Sequence, residues 1–430
     1  MRDTVPVPCF ARGTLVLARE GYKPIEEVAV GDEVLTHIGR WRRVTAVMSR
    51  RGAPLRRIKA QGVDVTTTDE HPFWVRARTI ERDRARRYVK SFGDPRWVAA
   101  GELTKGHFLA QALPDVKPDK KTVEFWWLVG RYLADGCRQR LKARPNGGRT
   151  VICCARAEAD ELKTRIASAG FNATPQTLRS TVNFQIAAYS LYRFLEPFGH
   201  LAHGKTLPGF ALSLSRAKSA ALLDGYMSGD GWNGPGYQRA PTVSKRLAFG
   251  MALLAQRAGV VASVQYVPRP KTCVIEGRTV RQRPKWCIDV PRHNLSGFVE
   301  GRYGWKPFRE SMRCGRGTVH NISVDGDESY MADGAIIHNC NPDSGLAEAA
   351  SLAVAAFVSE WVARGHAAAK VLDALSAAVV EVRRRNTGPA GDEGLAKRLD
   401  AVVESGGLPP PEPEDDLLGG TDLDLPEGGA

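Results

Sequence analysis

An all-β unit interrupted by an α+β domain, and followed by a mainly α-helical flank with a disordered acidic tail, is the architecture the sequence predicts. Three observations predict it. Short β-prone segments broken by Gly, Pro and Asp fill 9–115 and return at 318–337. Between them, from Val123, helical periodicity alternates with basic, β-prone stretches. Beyond Gly345 the chain is Ala- and Leu-rich, and its last residues from Gly406 are rich in Pro, Gly and acid. The 430 residues, 43% hydrophobic and 25% charged, exclude wholesale disorder and suit about two to four domains.

Each element has its own warrant. In 9–118 the strand candidates are Thr14–Leu17, Glu33–Thr36, Val44–Met48 and Val63–Thr67, separated by turn residues. Pro114, Pro118 and the charged run Asp115–Lys121 mark a boundary. Within 119–311 the helix candidates are Phe125–Asp135, Glu158–Ala169, Leu191–Phe198, Ser215–Gly229 and Lys245–Ala258. Residues 312–339 return to strands, Thr318–Val324 and Tyr330–Ile337, around Asp325-Gly326-Asp327. That leaves flanks of 1–8 and 340–430.

Charge is unevenly distributed. The net is +14, yet 340–430 holds 7 Lys/Arg against 16 Asp/Glu, a net of −9. The remaining 54 basic and 31 acidic residues give 1–339 a net of +23, which points to a polyanionic partner for that part alone. No apolar run reaches the ~18 residues of a membrane span. The start Met1-Arg2-Asp3 carries no secretory signal, so a cytoplasmic location is expected. Eight Cys without a CxxC pair suggest reduced thiols.

Three separated pieces carry the first chemical signal. They are Cys9 with Phe10-Ala11-Arg12-Gly13-Thr14, then Thr68-Asp69-Glu70-His71, then His338-Asn339-Cys340. A lone Cys is more often a small buried hydrophobe; their joint order in a β context changes the odds. Together with Ala29-Val30-Gly31-Asp32-Glu33-Val34-Leu35, the pieces resemble an intein, a self-splicing element of the Hint fold, over 9–339. The resemblance makes Cys9 the nucleophile on the Pro8 carbonyl, His71 the proton donor to the departing nitrogen, and Thr68 a stabiliser of the oxyanion. It makes Cys340 the acceptor of the upstream segment, and Asn339 the residue that cyclises with help from His338. No cofactor is implied for splicing. Two positions depart from the pattern: Asn321 stands where many inteins carry Asp, and Ser329 where others carry a further His. Pro8 lacks an N–H and restricts local geometry.

A second signal is a near-duplication. Trp127-Leu128-Val129-Gly130-Arg131-Tyr132-Leu133-Ala134-Asp135-Gly136 matches Leu222-Leu223-Asp224-Gly225-Tyr226-Met227-Ser228-Gly229-Asp230-Gly231. Small residues four apart let two helices approach closely. Packed side by side they bring Asp135 and Asp230 to one end, where a cation offsets the repulsion. The pair resembles the LAGLIDADG (DOD-type) homing endonucleases, and His203-Gly204-Lys205-Thr206-Leu207-Pro208 resembles the motif before their second helix. The resemblance implies Mg²⁺ on Asp135 and Asp230, double-stranded DNA in the intein-less host gene as partner, and a monomer. Arg278, Arg281, Arg283 and Lys285 are the DNA-binding candidates, and Lys271 or Lys285 the candidates beside the scissile phosphate.

A Hedgehog-type Hint autoprocessing domain is the rival that shares the first steps, and His338-Asn339-Cys340 disfavours it. A dead nuclease kept as a scaffold is disfavoured by both Asp residues being intact. Two separate sets of residues further predict separable activities, with 119–311 acting on splicing as little more than a tether. Nothing in 340–430 carries a catalytic signature.

Overall fold

Two long strands, Trp41–Ala60 and Tyr303–Val324, pair antiparallel along most of their lengths. Bulges between Arg313/Arg316 and Gly317/Val319 interrupt their ladder, and extra residues of this kind bend and twist a long ribbon. A computed structural model describes residues 9–339 apart from 83–86, 142–146, 276 and 295. The expected flanks, with Pro8, Cys340 and the helical segment, lie outside the described residues. So does part of Arg138–Arg149, one of the basic, β-prone stretches that the sequence sets toward DNA.

The two ribbon strands belong to a sheet that joins both ends of the described chain. Phe10–Ala11 pairs with Val319 and His320 on one side and, through Phe10, with Thr67 on the other. The strands Ser329–Ala332 and Ala335–His338 form a hairpin set between Leu15–Ala18 and Pro72–Arg82. The expected single strand Tyr330–Ile337 is thus two strands. Asp333 and Gly334 turn the chain with φ of 41° and 77°, a conformation Asp tolerates and Gly favours. Tyr303–Val324 also runs straight through the expected 311/312 boundary, with Phe108 opposite Pro307 and Phe298 opposite Trp305. The charged stretch Arg309–Arg316 hid that continuity, because only the ends of the strand are apolar.

Among the described residues the helices are α1 (Val123–Asp135), α2 (Ala159–Ser168), α3 (Tyr189–Phe194), α4 (Gly209–Leu212), α5 (Arg216–Asp230) and α6 (Lys245–Ala258); periodicity predicts five of them, α3 as Leu191–Phe198, and the short α4 was not expected. The Thr122 side chain caps α1 by accepting from Phe125 N–H, and Ser244 caps α6 by accepting from Leu247 N–H. Two halves repeat one plan. In the first, α1, Gly136–Arg140, Gly148–Ala155, α2, Thr174–Thr177 and Thr181–Ile186 follow in order. In the second the sequence is α5, Trp232–Gly234, Tyr237–Thr242, α6, Ser263–Val267 and Lys285–Pro291, with a hairpin Thr272–Ile275/Arg278–Arg281 before the last strand. The strands of each half lie in the same spatial order, first-second-fourth-third.

The inserted halves are more than a tether. Residues 9–339 fall within one compact unit. Leu15, Leu17, Tyr22 and Leu35 share an apolar cluster with Leu207, Phe249 and Leu253. The Tyr22 and Phe249 rings stand 6.0 Å apart, and Gln256 Nε2 donates to the Gln111 carbonyl at 2.9 Å. Sequence periodicity marks which residues are apolar; it does not say which other segment covers them.

Candidate active sites

Cys9 is 2% exposed, and its backbone is held on both sides. Its N–H donates to Thr68 Oγ1 at 3.0 Å, while its carbonyl accepts from Thr68 N–H at 3.0 Å and Thr67 Oγ1 at 2.9 Å. The register explains this: Thr67 pairs with Phe10, so Thr68 falls beside Cys9. The Thr68 hydroxyl therefore engages the amide nitrogen of residue 9, whereas sequence reasoning had assigned it to the oxyanion. His71 is fully buried, its ring 4.1 Å edge-on from Phe10 and its carbonyl accepting from Ala100 N–H at 2.8 Å. Burial pushes the Cys9 thiol up to about 11; Arg50 opposes that rise and Glu70 adds to it.

The other junction closes on the same sheet. Asn339 is 2% exposed; its N–H donates to the Glu328 carbonyl at 2.8 Å and its Nδ2 to the Val324 carbonyl at 3.2 Å. Its Oδ1 is buried with no hydrogen-bond partner among the described residues. His338 Nδ1 meets the Asn339 carbonyl oxygen, and its Nε2 lies 3.9 Å from Glu328 Oε2. Asn321 Oδ1 accepts from Tyr330 O–H and Ile322 N–H, both at 2.8 Å. Ser329 Oγ accepts from His37 N–H at 3.0 Å and lies 2.7 Å from His37 Nδ1.

A pair of carboxylates sits where α1 and α5 end. The helices touch through glycine: a Cβ on Gly130 would lie 2.0 Å from the Leu222 carbonyl oxygen, and one on Gly225 2.0 Å from that of Trp127. Asp135 Oδ2 lies against Gly229 of α5, 2.5 Å from where a Cβ would stand. Burial first, and the Asp135 charge second, push the Asp230 carboxyl up to about 6. Asp135 is raised too, by burial, against Arg131 and Lys205. Arg131 pairs with Asp135 at 3.2 Å and Glu158 at 2.9 Å.

Lys205 is the lysine at this site, where Lys271 and Lys285 had been the candidates. Its buried ammonium donates to the Tyr132 and Ala134 carbonyls at 3.2 and 3.0 Å, and burial lowers its pKa against the pull of Asp230 and Asp135. Among the described residues no cluster of three or more His, Cys, Asp or Glu suits a metal. Two hard oxygen donors, held together although their charged forms are disfavoured, fit a hard cation that keeps several waters.

Residues 8–90 match the family model of the Hint domain. That segment contains Cys9, Thr68 and His71; the strand Ala335–His338 joins it through Ile337 opposite Phe73, and Asn339 follows that strand. The chain is 27% identical over 375 residues to an iron–sulfur cluster assembly SufBD family protein of Mycobacterium tuberculosis, covering 77% of this chain and 43% of that protein. It is 24% identical over 414 residues to the ATP-dependent DNA helicase Hel308 of Thermococcus kodakarensis, covering 78% of this chain and 36% of that one. The chain thus spans less than half the length of these curated relatives. Among solved structures, the homing endonuclease I-DmoI in complex with DNA and Ca is 12% identical with a TM-score of 0.29, over 40% of this chain and 83% of that chain. A variant of the Ssp DnaB mini-intein is 8% identical with a TM-score of 0.27, over 78% and 99%.

Beyond the Hint segment, the DNA-binding candidates lie on or next to the extra hairpin. Arg278, Arg281 and Arg283 are exposed and Lys285 is half-buried, and none of the four pairs with a carboxylate among the described residues. Sequence reasoning singled out Arg138–Arg149 as a basic stretch but not the polar ladders that cross the two small sheets. In the first, Arg149 bonds Gln139 and Gln185, and Gln185 bonds Gln176 at 2.9 Å. In the second, Arg239 grips Asp289 through two bonds of 2.5 and 2.7 Å. Alternation in the strands was the available signal. Within the Hint segment, His37 and Arg50 were also missed, each a single residue in a turn or strand with no motif around it.

Proposed function

We propose that residues 9–339 form a self-splicing intein carrying a LAGLIDADG-type DNA endonuclease. The observation that carries the splicing reading is the pairing of Cys9 with Thr68 inside the Hint match, with Asn339 closing the same sheet. The curated relatives add support: their names describe unrelated activities, and the matched share is about that of 9–339 in this chain.

The chemistry follows from the groups present. Cys9 Sγ attacks the Pro8 carbonyl carbon, the C–N bond breaks, and a thioester replaces the peptide. The departing nitrogen is the one whose N–H is held by Thr68, so its lone pair can turn away from amide resonance as it takes a proton from His71. The Cys340 thiol then exchanges with that thioester. Asn339 Nδ2 attacks its own carbonyl carbon, breaking the bond to residue 340 and leaving a succinimide. An S-to-N shift restores an ordinary peptide between Pro8 and Cys340. No step consumes a cofactor.

The second activity belongs to Asp135 and Asp230. Their carboxylates would hold a divalent cation such as Mg²⁺, which when bound supplies Lewis-acid polarisation of a phosphodiester oxygen. Lys205 and Arg131 keep the paired carboxylates in place beside it, and the basic hairpin with the polar ladders would engage duplex DNA by phosphate and base-edge contacts. The cleaved site is the intein-less host gene, and the chain acts as a monomer in the cytoplasm.

Two tests separate the activities. Cys9→Ala should abolish cleavage after Pro8, and Cys340→Ala should leave cleavage products without ligation. Persistence of intact, folded wild-type chain would refute splicing. Asp135→Asn or Asp230→Asn should abolish duplex cutting while binding survives, and cutting that persists in excess chelator contradicts the metal assignment.

A further inference from the structure

We infer that His37 is a positioning residue for release at Asn339: acting through Ser329 and Trp97, it holds the His338 ring against the Asn339 carbonyl. This rests on the splicing reading above. The connection is short. Ser329 stands directly opposite His338 in the terminal hairpin. The Ser329 hydroxyl oxygen takes the His37 backbone N–H at 3.0 Å and lies 2.7 Å from its ring Nδ1. The His37 ring lies 5.6 Å from Trp74 and 5.8 Å from Trp97, and Trp97 meets the His338 ring edge-on at 4.9 Å. His37 is thus linked to His338 twice, by a polar route and an aromatic one.

The turn that carries His37 is itself anchored. Gly39 N–H donates to the Thr36 carbonyl at 3.0 Å, and Thr36 Oγ1 donates to Asp327 Oδ2 at 2.7 Å. Asp327, two residues before Ser329, also takes the Arg40 guanidinium. The turn and the hairpin therefore move together.

His37 is half-buried and faces Asp327, His338 and Arg40; burial keeps it below its ordinary pKa, so it is neutral near pH 7. Ser329 already accepts one N–H, so its hydroxyl hydrogen is available to a neutral His37 Nδ1. His338 Nδ1 faces the Asn339 carbonyl, and its Nε2 lies 3.9 Å from Glu328 Oε2. A neutral His37 sets no charge beside the His338 ring; a protonated one does.

The step served is balanced. Asn339 Nδ2 forms a bond to its own backbone carbon and loses a proton, the bond to residue 340 breaks, and the released amine gains a proton. His338 polarises the carbonyl, and His37 only sets its place.

The test uses the full chain with Cys9→Ala, so that release at Asn339 is read alone by mass spectrometry across mildly acidic to mildly alkaline pH. His37→Gln and Ser329→Ala should each slow release about tenfold or more. His37→Gln should also remove one titration from the acid side of the rate profile. A His37→Gln chain with an unchanged rate, or one slowed equally at every pH, overturns the inference. If His37→Gln fails to fold, Ser329→Ala decides, and an unchanged rate there overturns it. Asn339→Ala is the control: release that is absent even with Asn339 intact refutes the splicing reading itself.

Discussion

At the scale of single residues, burial disfavours the charged forms of Cys9 and Asp230. Cys9 starts as a thiol pushed up to about 11, with Arg50 the nearby group that lowers it. Arg50→Gln should therefore raise it further, and hydroxylamine trapping of the thioester should slow several-fold; trapping at the wild-type rate would show that Arg50 has no such effect. Asp230 is the second case. Its carboxyl is raised to about 6 in the folded chain against an ordinary 3.8, so the folded state binds the proton more tightly. The stability this contributes is complete below the ordinary value and is lost as pH rises through about 6. Metal-free protein should thus be weaker at neutral pH than at pH 5, and Asp230→Asn should recover on the order of 1–2 kcal/mol at neutral pH while abolishing cutting. Urea denaturation at the two pH values measures this, and an Asn variant less stable than wild type at neutral pH would count against it.

At the scale of elements, the turn of the terminal hairpin depends on a helix of the inserted domain. Lys245, the first residue of α6, reaches both carboxylate oxygens of Asp333, at 2.7 and 2.9 Å, and donates to the Gly13 carbonyl at 2.8 Å. Asp333 is 3% exposed on its side chain and also accepts from Leu15 N–H. Removing one partner of such a buried pair costs about 3–5 kcal/mol, because the other charge stays buried alone. Lys245→Met should loosen the hairpin and slow release at Asn339, although it lies outside the splicing motifs. Wild-type release kinetics in a folded Lys245→Met chain would show that the ion pair does not reach the junction. Gly225→Ala belongs to the same scale: its methyl would press on the Trp127 carbonyl oxygen, so DNA cutting should fall sharply in assays with saturating Mg²⁺.

Legibility also divides by element. Helices α1, α5 and α6 were readable because apolar residues recur at helical spacing and because Asp-Gly or Gly follows their last turn. The terminal hairpin was read as one strand, although Asp333-Gly334 between Met331-Ala332 and Ala335-Ile336 is a two-residue turn signal. Cys9, Thr68, His338 and Asn339, the residues proposed for splicing, were singled out by their order in the chain. Lys205 lay inside a recognised motif, but its place beside the two Asp residues depends on how α1 ends. His37 had no local signal at all, because its meaning comes from Ser329 and Trp97, far away in sequence.

At the scale of the whole molecule, the sheet that carries Cys9 and the two helix-bearing halves share apolar surface. Removing the inserted domain would uncover Leu15, Leu17 and Tyr22 and take away Lys245. A chain in which a Gly/Ser linker replaces the inserted domain should therefore splice more slowly and aggregate more, even though closing a longer loop costs only about 0.6 kcal/mol per doubling. Asp135→Asn, which leaves that shared surface intact, should splice at the normal rate. The central claim is that the chain excises 9–339 and joins its flanks, and one measurement tests it most directly: intact mass analysis of the purified, folded chain over time without added cofactor. The account predicts loss of the 46.9 kDa species and the appearance of roughly 36 kDa and roughly 11 kDa products, estimated from residue fractions, the smaller carrying Pro8 bonded to Cys340. A folded 46.9 kDa chain that persists unchanged would contradict it.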